Sequence, residues 1–133
     1  MAAEVLVVDG DRFFARSIQA QLEGLGVTVA HQLTGAEALD HAYRDHPRLV
    51  LVDVELGAGL DGFATVAAMR GRFDVRVIYM TRTELAPPML EMLLARGAVV
   101  LSKPCSTDRL LAALERACGE LVTRPGMRGD VAC

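Results

Sequence analysis

Four short runs of almost unbroken apolar residues constrain this chain most: Val5-Leu6-Val7-Val8, Leu49-Val50-Leu51-Val52, Val75 to Met80, and Ala98-Val99-Val100-Leu101. A half-exposed strand alternates apolar and polar residues, whereas a strand covered on both faces is apolar throughout. Runs of this kind therefore predict parallel strands inside a sheet with helices on both sides. A weaker run at Val27–Ala30 makes a fifth strand. Between the runs the apolar spacing changes to three and four residues. Phe14, Ile18, Leu22 and Leu25 mark one helix. Ala38, Leu39 and Ala42 mark a second, after Thr34 and Glu37 in a capping-box arrangement. Phe63, Val66, Ala67 and Met69 mark a third. A fourth begins at Pro87-Pro88, since the first turn of a helix needs no N–H, and carries Met89, Leu90, Met92 and Leu93. Ser106 or Thr107 caps the last, lined by Leu110, Leu111, Leu114, Cys118 and Leu121. Five strands alternating with five helices predict a doubly wound α/β domain over residues 1–122, with 123–133 as a loose C-terminal tail.

Composition supports one packed domain. The chain has 133 residues, 52% of them hydrophobic, enough for a single sizeable core. The net charge of −3 is spread over both signs, which argues against a nucleic-acid footprint. No apolar stretch nears the roughly 20 residues of a membrane span. The start of the chain lacks a signal-peptide pattern, so the cytoplasm is the expected location. Three cysteines without CxxC spacing argue against a disulfide framework. His31, His41 and His46 show no metal-ligand spacing and read as surface residues.

The strands end on chemistry. The first runs into Asp9, the third into Asp53 and the fourth into Thr81, and Lys103-Pro104 follows the fifth. In an open parallel sheet the ligand site lies beyond the carboxyl ends of the strands, so these four residues converge. Each alone reads equally well as a strand terminator. Together, two carboxylates, a hydroxyl and an ammonium suit magnesium and a phosphoryl group. Asp53 is the natural acceptor, Asp9 a magnesium ligand, Thr81 a donor to a phosphate oxygen, and Lys103 a point charge. Pro104 suits a tight turn, with a cis bond as one way to make it.

The segments VLVVDGD at 5–11, TGAEAL at 34–39, LVLVDVELGAGLDGF at 49–63, VIYMT at 77–81 and GAVVLSKP at 97–104 together resemble the receiver domain of bacterial two-component response regulators, over about residues 4–122. The resemblance implies a flavodoxin-like five-stranded parallel sheet in the order 2-1-3-4-5. It implies Asp53 as phospho-acceptor, with Asp9, Asp53 and the main chain of Glu55 around magnesium. It also implies Thr81 as switch hydroxyl and Lys103 as the characteristic lysine. The implied partners are a histidine kinase or histidine phosphotransfer protein and a downstream effector protein. Beyond self-catalysed phosphoryl transfer and its reversal, enzymatic activity is not expected.

Several positions depart from the receiver pattern. Gly10 replaces a second acidic residue, which should weaken magnesium binding. Asp11 is placed either to compensate or simply to begin the first helix, and the side chain of Glu55 is another candidate ligand. Arg82 replaces a small residue after the threonine. It can cover the site, pair with a carboxylate in place of the metal, or point into solvent. Val100 stands where many receivers carry an aromatic residue that turns inward on activation. One extra residue in the Gly57-Ala58-Gly59 stretch favours a loop with unusual backbone angles.

The expectation is a stand-alone receiver that signals by protein contact, without direct DNA or membrane binding, homodimerisation being left open. The alternative is a pseudo-receiver, a phosphorylation-independent interaction module silenced by Gly10 and Arg82. A small phosphatase or nucleotide-binding enzyme on a related fold is a weaker third reading, because no GxGxxG or GxxxxGK[ST] motif occurs.

Overall fold

A computed structural model describes residues 4–57 and 59–119. The element order is β1 (Val5–Val8), α1 (Arg12–Glu23), β2 (Val29–Gln32), α2 (Gly35–Asp45), β3 (Leu49–Asp53), α3 (Gly62–Arg70), β4 (Arg76–Thr81), α4 (Pro87–Ala95), β5 (Val99–Ser102) and α5 (Thr107–Cys118). All strand pairs are parallel and the sheet order is β2-β1-β3-β4-β5. The expected tail at 123–133 and the expected boundary at 122 lie outside the described residues.

Successive strand residues point to opposite faces, and here both faces are covered. Val5, Val7, Leu49, Leu51, Ile78 and Met80 pack with Ile18 and Leu22 of α1 and Leu110 and Leu114 of α5. Leu6, Val8, Val50, Val52, Val77 and Tyr79 pack on the other side with Ala38 and Ala42 of α2, Val66 and Met69 of α3, and Leu93 of α4. This two-sided burial is the cause of the unbroken apolar runs. Among the described residues no helix is long and apolar enough to cross a membrane.

The helix starts follow local hydrogen bonding. Thr34 accepts the Glu37 N–H at 3.2 Å, and its hydroxyl donates to the Glu37 carboxylate at 2.9 Å. Ser106, rather than Thr107, caps α5. Pro87 and Pro88 occupy the first turn of α4, which has no side-chain cap.

The weakest strand moved. Pairing of β2 begins at Val29, opposite Val5, and runs to Gln32 rather than covering Val27–Ala30. Val27 is buried beside α1 as part of the incoming loop, so its apolar character serves the core and not the ladder. An edge strand paired on one side tolerates the polar His31 and Gln32 that ended the sequence-based run. The histidines also differ from a uniform surface reading: His31 and His41 are half-buried, and only His46 is exposed. Cys105 is a half-buried free thiol, and Cys133 lies outside the described residues.

One close approach positions the third helix on the site. A Cβ at Gly62 would collide with the carbonyl oxygen of Asp53 and lie 2.9 Å from Cα of Val54. The absent side chain lets α3 start directly against the end of β3, where the Gly62 N–H donates to the Val54 carbonyl at 3.2 Å. At Gly10 an added Cβ would meet only the Leu33 carbonyl, at 3.8 Å. Urea melts should therefore show Gly62→Ala destabilised by about 1–3 kcal/mol, the usual cost of overpacking. Gly10→Ala should stay within about 0.5 kcal/mol of the parent.

Candidate functional site

The parallel register brings the carboxyl ends of β1, β3, β4 and β5 to one edge of the sheet. Asp9 follows β1 directly, Asp53 ends β3, Thr81 ends β4, and Lys103 follows β5. Asp9, Asp53 and Lys103 are all buried. An isolated charge in such a place would cost several kcal/mol, so burial here requires mutual pairing. The Lys103 ammonium supplies it, donating to Asp9 Oδ2 at 2.7 Å and to Asp53 Oδ2 at 2.8 Å.

The remaining carboxylate oxygens are held in the same way on both sides. Asp9 Oδ1 accepts the N–H of Asp11 at 2.8 Å, and Asp53 Oδ1 accepts the N–H of Glu55 at 2.9 Å. Each carboxylate is thus pinned between the lysine and the backbone two residues on. Burial alone would lower the Lys103 pKa, but the hydrogen bonds to Asp53 and Asp9 outweigh it and hold the ammonium above the ordinary lysine range. The cis Lys103-Pro104 bond turns the chain immediately after this lysine.

Two supporting residues were not singled out in the sequence. The Phe14 ring lies under the Lys103 ammonium, 4.5 Å from ring centre to nitrogen, a cation–π contact that covers the lysine. Helical spacing marked Phe14 only as a core residue. His31 Nε2 hydrogen-bonds the backbone carbonyl of Asp9 at 2.9 Å across the β1–β2 edge. Its signal was a polar residue directly after an apolar strand run, which reads as a surface position until the pairing partner is known.

Above the buried triad lies a cleft of about 330 Å³ lined by Asp9, Gly10, Asp11, Asp53, Glu55, Leu56, Gly57 and Arg82. Asp11 caps α1, its Oδ1 accepting the N–H groups of Phe13 at 3.0 Å and Phe14 at 3.1 Å. Its Oδ2 accepts from Arg82 Nη2 at 2.9 Å. The Phe14 N–H, then the Arg82 guanidinium, hold the Asp11 carboxyl below its usual range. Arg82 thus pairs with Asp11 while it lines the cleft and stays largely exposed, so the three placements are not exclusive. The Glu55 side chain is exposed and lines the cleft. Gly57 and Gly59 have φ of 80° and 90°, the left-handed geometry expected of that loop.

Thr81 is buried at the strand end, but its hydroxyl donates to the Thr83 carbonyl at 2.6 Å and so turns into the β4–α4 loop. Val100 is half-buried and packs on the face that carries α4.

Among the described residues no group of three His, Cys, Asp or Glu side chains is arranged to hold a metal ion. Two carboxylates remain, each with lone pairs beyond those used by Lys103 and the backbone. Magnesium binds through one or two carboxylates and keeps several waters and phosphate oxygens. The oxygens of Asp9 and Asp53 that face the cleft are of the kind such an ion takes, completed by water and a phosphoryl group.

Comparison with known proteins gives the same architecture. Residues 5–115 match the family model described as the response regulator receiver domain. The acid tolerance regulatory protein ActR of Rhizobium meliloti (strain 1021) is 32% identical over 124 residues, 91% of this chain and 62% of that protein. ActR of Sinorhizobium medicae (strain WSM419) is 31% identical over 122 residues, again 91% and 62%. The chain therefore spans about three fifths of the length of these curated relatives. The structure of the chemotaxis protein CheY4 of Vibrio cholerae aligns with a TM-score of 0.76 at 28% identity, covering 88% of this chain and 99% of that one. The N-terminal domain of a response regulator/sensory box/GGDEF protein from Carboxydothermus hydrogenoformans aligns with a TM-score of 0.74 at 30% identity, covering 85% and 91%.

Removing the central cation would leave two buried carboxylates facing each other. Lys103→Met should cost about 3–5 kcal/mol in urea melts near neutral pH. The folded pKa of Lys103 is raised, so its contribution is complete below the unfolded lysine value of about 10.4 and is lost as pH rises through the higher folded value. The melting-temperature gap between parent and Lys103→Met should stay level up to about pH 9 and narrow above about pH 10.5.

Proposed function

The chain belongs to the response regulator receiver family, and we propose that it accepts a phosphoryl group on Asp53 from a histidine kinase or histidine phosphotransfer protein. The change is then read by an effector protein through direct contact, in the cytoplasm, where such a donor and its effector would meet the chain. The observation that carries this reading is the Lys103 ammonium held between Asp9 and Asp53 at the floor of the cleft.

The chemistry follows from what each group is free to do. A carboxylate oxygen of Asp53 attacks phosphorus while the bond from phosphorus to the donor nitrogen breaks, and the bonding pair leaves with the imidazole. Positioning and charge neutralisation supply most of the catalysis in such a transfer. The N–H of Glu55 and the Lys103 ammonium fix the attacking carboxylate against the sheet edge. Lys103 stays charged throughout the physiological range and remains beside the product. Magnesium, bound by Asp9, Asp53 and the Glu55 carbonyl, would neutralise the phosphoryl oxygens.

The switch runs through Thr81. Donation to a phosphoryl oxygen requires its hydroxyl to leave the Thr83 carbonyl, which pulls on the β4–α4 loop. Thr81 and Thr83 share a cavity with Leu85, Pro87, Leu90, Leu94 and Val100, so the pull reaches α4 and β5 directly. Here Val100 provides no rotating ring, and loop and helix displacement carries the signal. Met89, Met92 and Leu94 are exposed on α4 at 39%, 44% and 54%, an adaptable apolar surface for an effector. Leu93, grouped with Met89 and Met92 by helical spacing, belongs to the core.

Intact mass spectrometry after incubation with acetyl phosphate tests the proposal. A magnesium-dependent gain of one phosphoryl group is expected, absent in Asp53→Asn. Gly10→Asp, for which the backbone leaves room, should lower the magnesium concentration needed for half-maximal loading. No adduct at any magnesium concentration, in the parent and in Gly10→Asp alike, would sink the proposal and leave a phosphorylation-independent interaction module.

A further inference from the structure

The cleft contains a cation that the transfer step does not use. Arg82 Nη2 lies 2.9 Å from Asp11 Oδ2, and both residues line the cleft that opens onto Asp53. We propose that Arg82 is a phosphoryl-holding residue, resting on Asp11 before transfer and moving onto the phosphoryl oxygens of Asp53 after it. This rests on the reading of Asp53 as the acceptor.

Three observations support the exchange. The first is charge. The carboxylates of Asp9, Asp11, Asp53 and Glu55 share the cleft with Arg82, and of these Asp9 and Asp53 pair with Lys103. Lys103 is already divided between two of them. Transfer adds a further negative charge at Asp53, and Gly10 contributes no ligand to draw in more metal charge. Arg82 is the cation lining the cleft, and its planar fork can take two phosphoryl oxygens at once, whereas it now makes a single hydrogen bond to Asp11.

The second is the weakness of the resting contact. The Arg82 and Asp11 side chains are 64% and 35% exposed, and a pair so open to water holds its partners loosely. Asp11 also keeps its structural task without Arg82, because its other oxygen caps α1.

The third is covalent linkage. Arg82 sits between Thr81 and Thr83, inside the turn that the Thr81 hydroxyl closes on the Thr83 carbonyl, so release of that hydroxyl also frees the backbone that carries Arg82.

A guanidinium lying across the phosphoryl oxygens should retard hydrolysis by covering phosphorus against water; in that hydrolysis a water oxygen attacks phosphorus and the bond from phosphorus to Asp53 breaks. The carboxylate is then restored and the water's protons leave on inorganic phosphate. Arg82 would occupy the open side of the cleft from which that water must come.

The test is the decay of the adduct, followed by intact mass after acetyl phosphate and magnesium have loaded the protein and the reagent has been removed. In loading, an Asp53 oxygen forms its bond to phosphorus as acetate departs with the electron pair. Arg82→Ala should lose its phosphoryl group about tenfold faster than the parent, the scale of one charge-assisted hydrogen bond. Arg82→Lys should fall between them. Asp11→Asn keeps the helix cap but frees Arg82, so its adduct should last as long as the parent's or longer. If the parent loads and Arg82→Ala decays at the same rate or more slowly, the holding role is overturned and the acceptor reading stands. If Asp11→Asn decays faster than the parent, Asp11 is not a resting partner and the exchange is overturned. If none of the four proteins gains a phosphoryl group, the acceptor reading falls and Arg82's role falls with it.

Discussion

One ammonium holds this site together. Lys103 reaches from the end of β5 to carboxylates at the ends of β1 and β3, and so ties three strands at the edge where chemistry is possible. Burying two carboxylates and a lysine is costly, and replacing such a group by apolar residues is often neutral or stabilising in proteins generally. Stability alone therefore does not explain its presence. A buried negative excess beside a solvent-filled cleft is a place where an added cation or an electrophilic phosphorus is favoured, and the pairing keeps it there without unfolding the sheet edge.

The site has a rigid floor and a loose mouth. On the floor each carboxylate oxygen has a fixed partner, Phe14 covers the lysine, and His31 braces the main chain of Asp9. At the mouth the Arg82–Asp11 pair is open to water, while Thr81, buried at the end of β4, turns its hydroxyl towards Thr83. This division follows the physics of burial: strong, low-dielectric contacts keep the reacting groups in register, and weak, screened ones can exchange partners at small cost. The pair proposed to exchange partners, Arg82 and Asp11, is the one at the mouth.

Much of the fold was legible because two-sided burial writes itself into a strand as an unbroken apolar run. β1, β3, β4 and β5 were recognisable for that reason, and their carboxyl ends pointed to Asp9, Asp53, Thr81 and Lys103. The edge strand β2 was misplaced by two residues, since pairing on one side demands less of its side chains and Val27 mimicked a strand residue while serving the core. Helix starts carried clear chemical marks in Thr34, Ser106 and Pro87. Met89 and Leu93, by contrast, differ only by which side of α4 the sheet happens to lie on.

Local patterning by itself determined the α/β architecture and the identity of the residues brought to the sheet edge, because strand burial and helix capping act over a few neighbouring residues. The partner of each polar group was decided only by tertiary structure. That Lys103 lies between both carboxylates, that Arg82 rests on Asp11, 71 positions away, and that Thr81 turns towards Thr83 follow from loop paths and strand register. Hydrogen bonds and ion pairs act over a few ångströms of space, and no spacing along the chain encodes which distant groups will come within that reach.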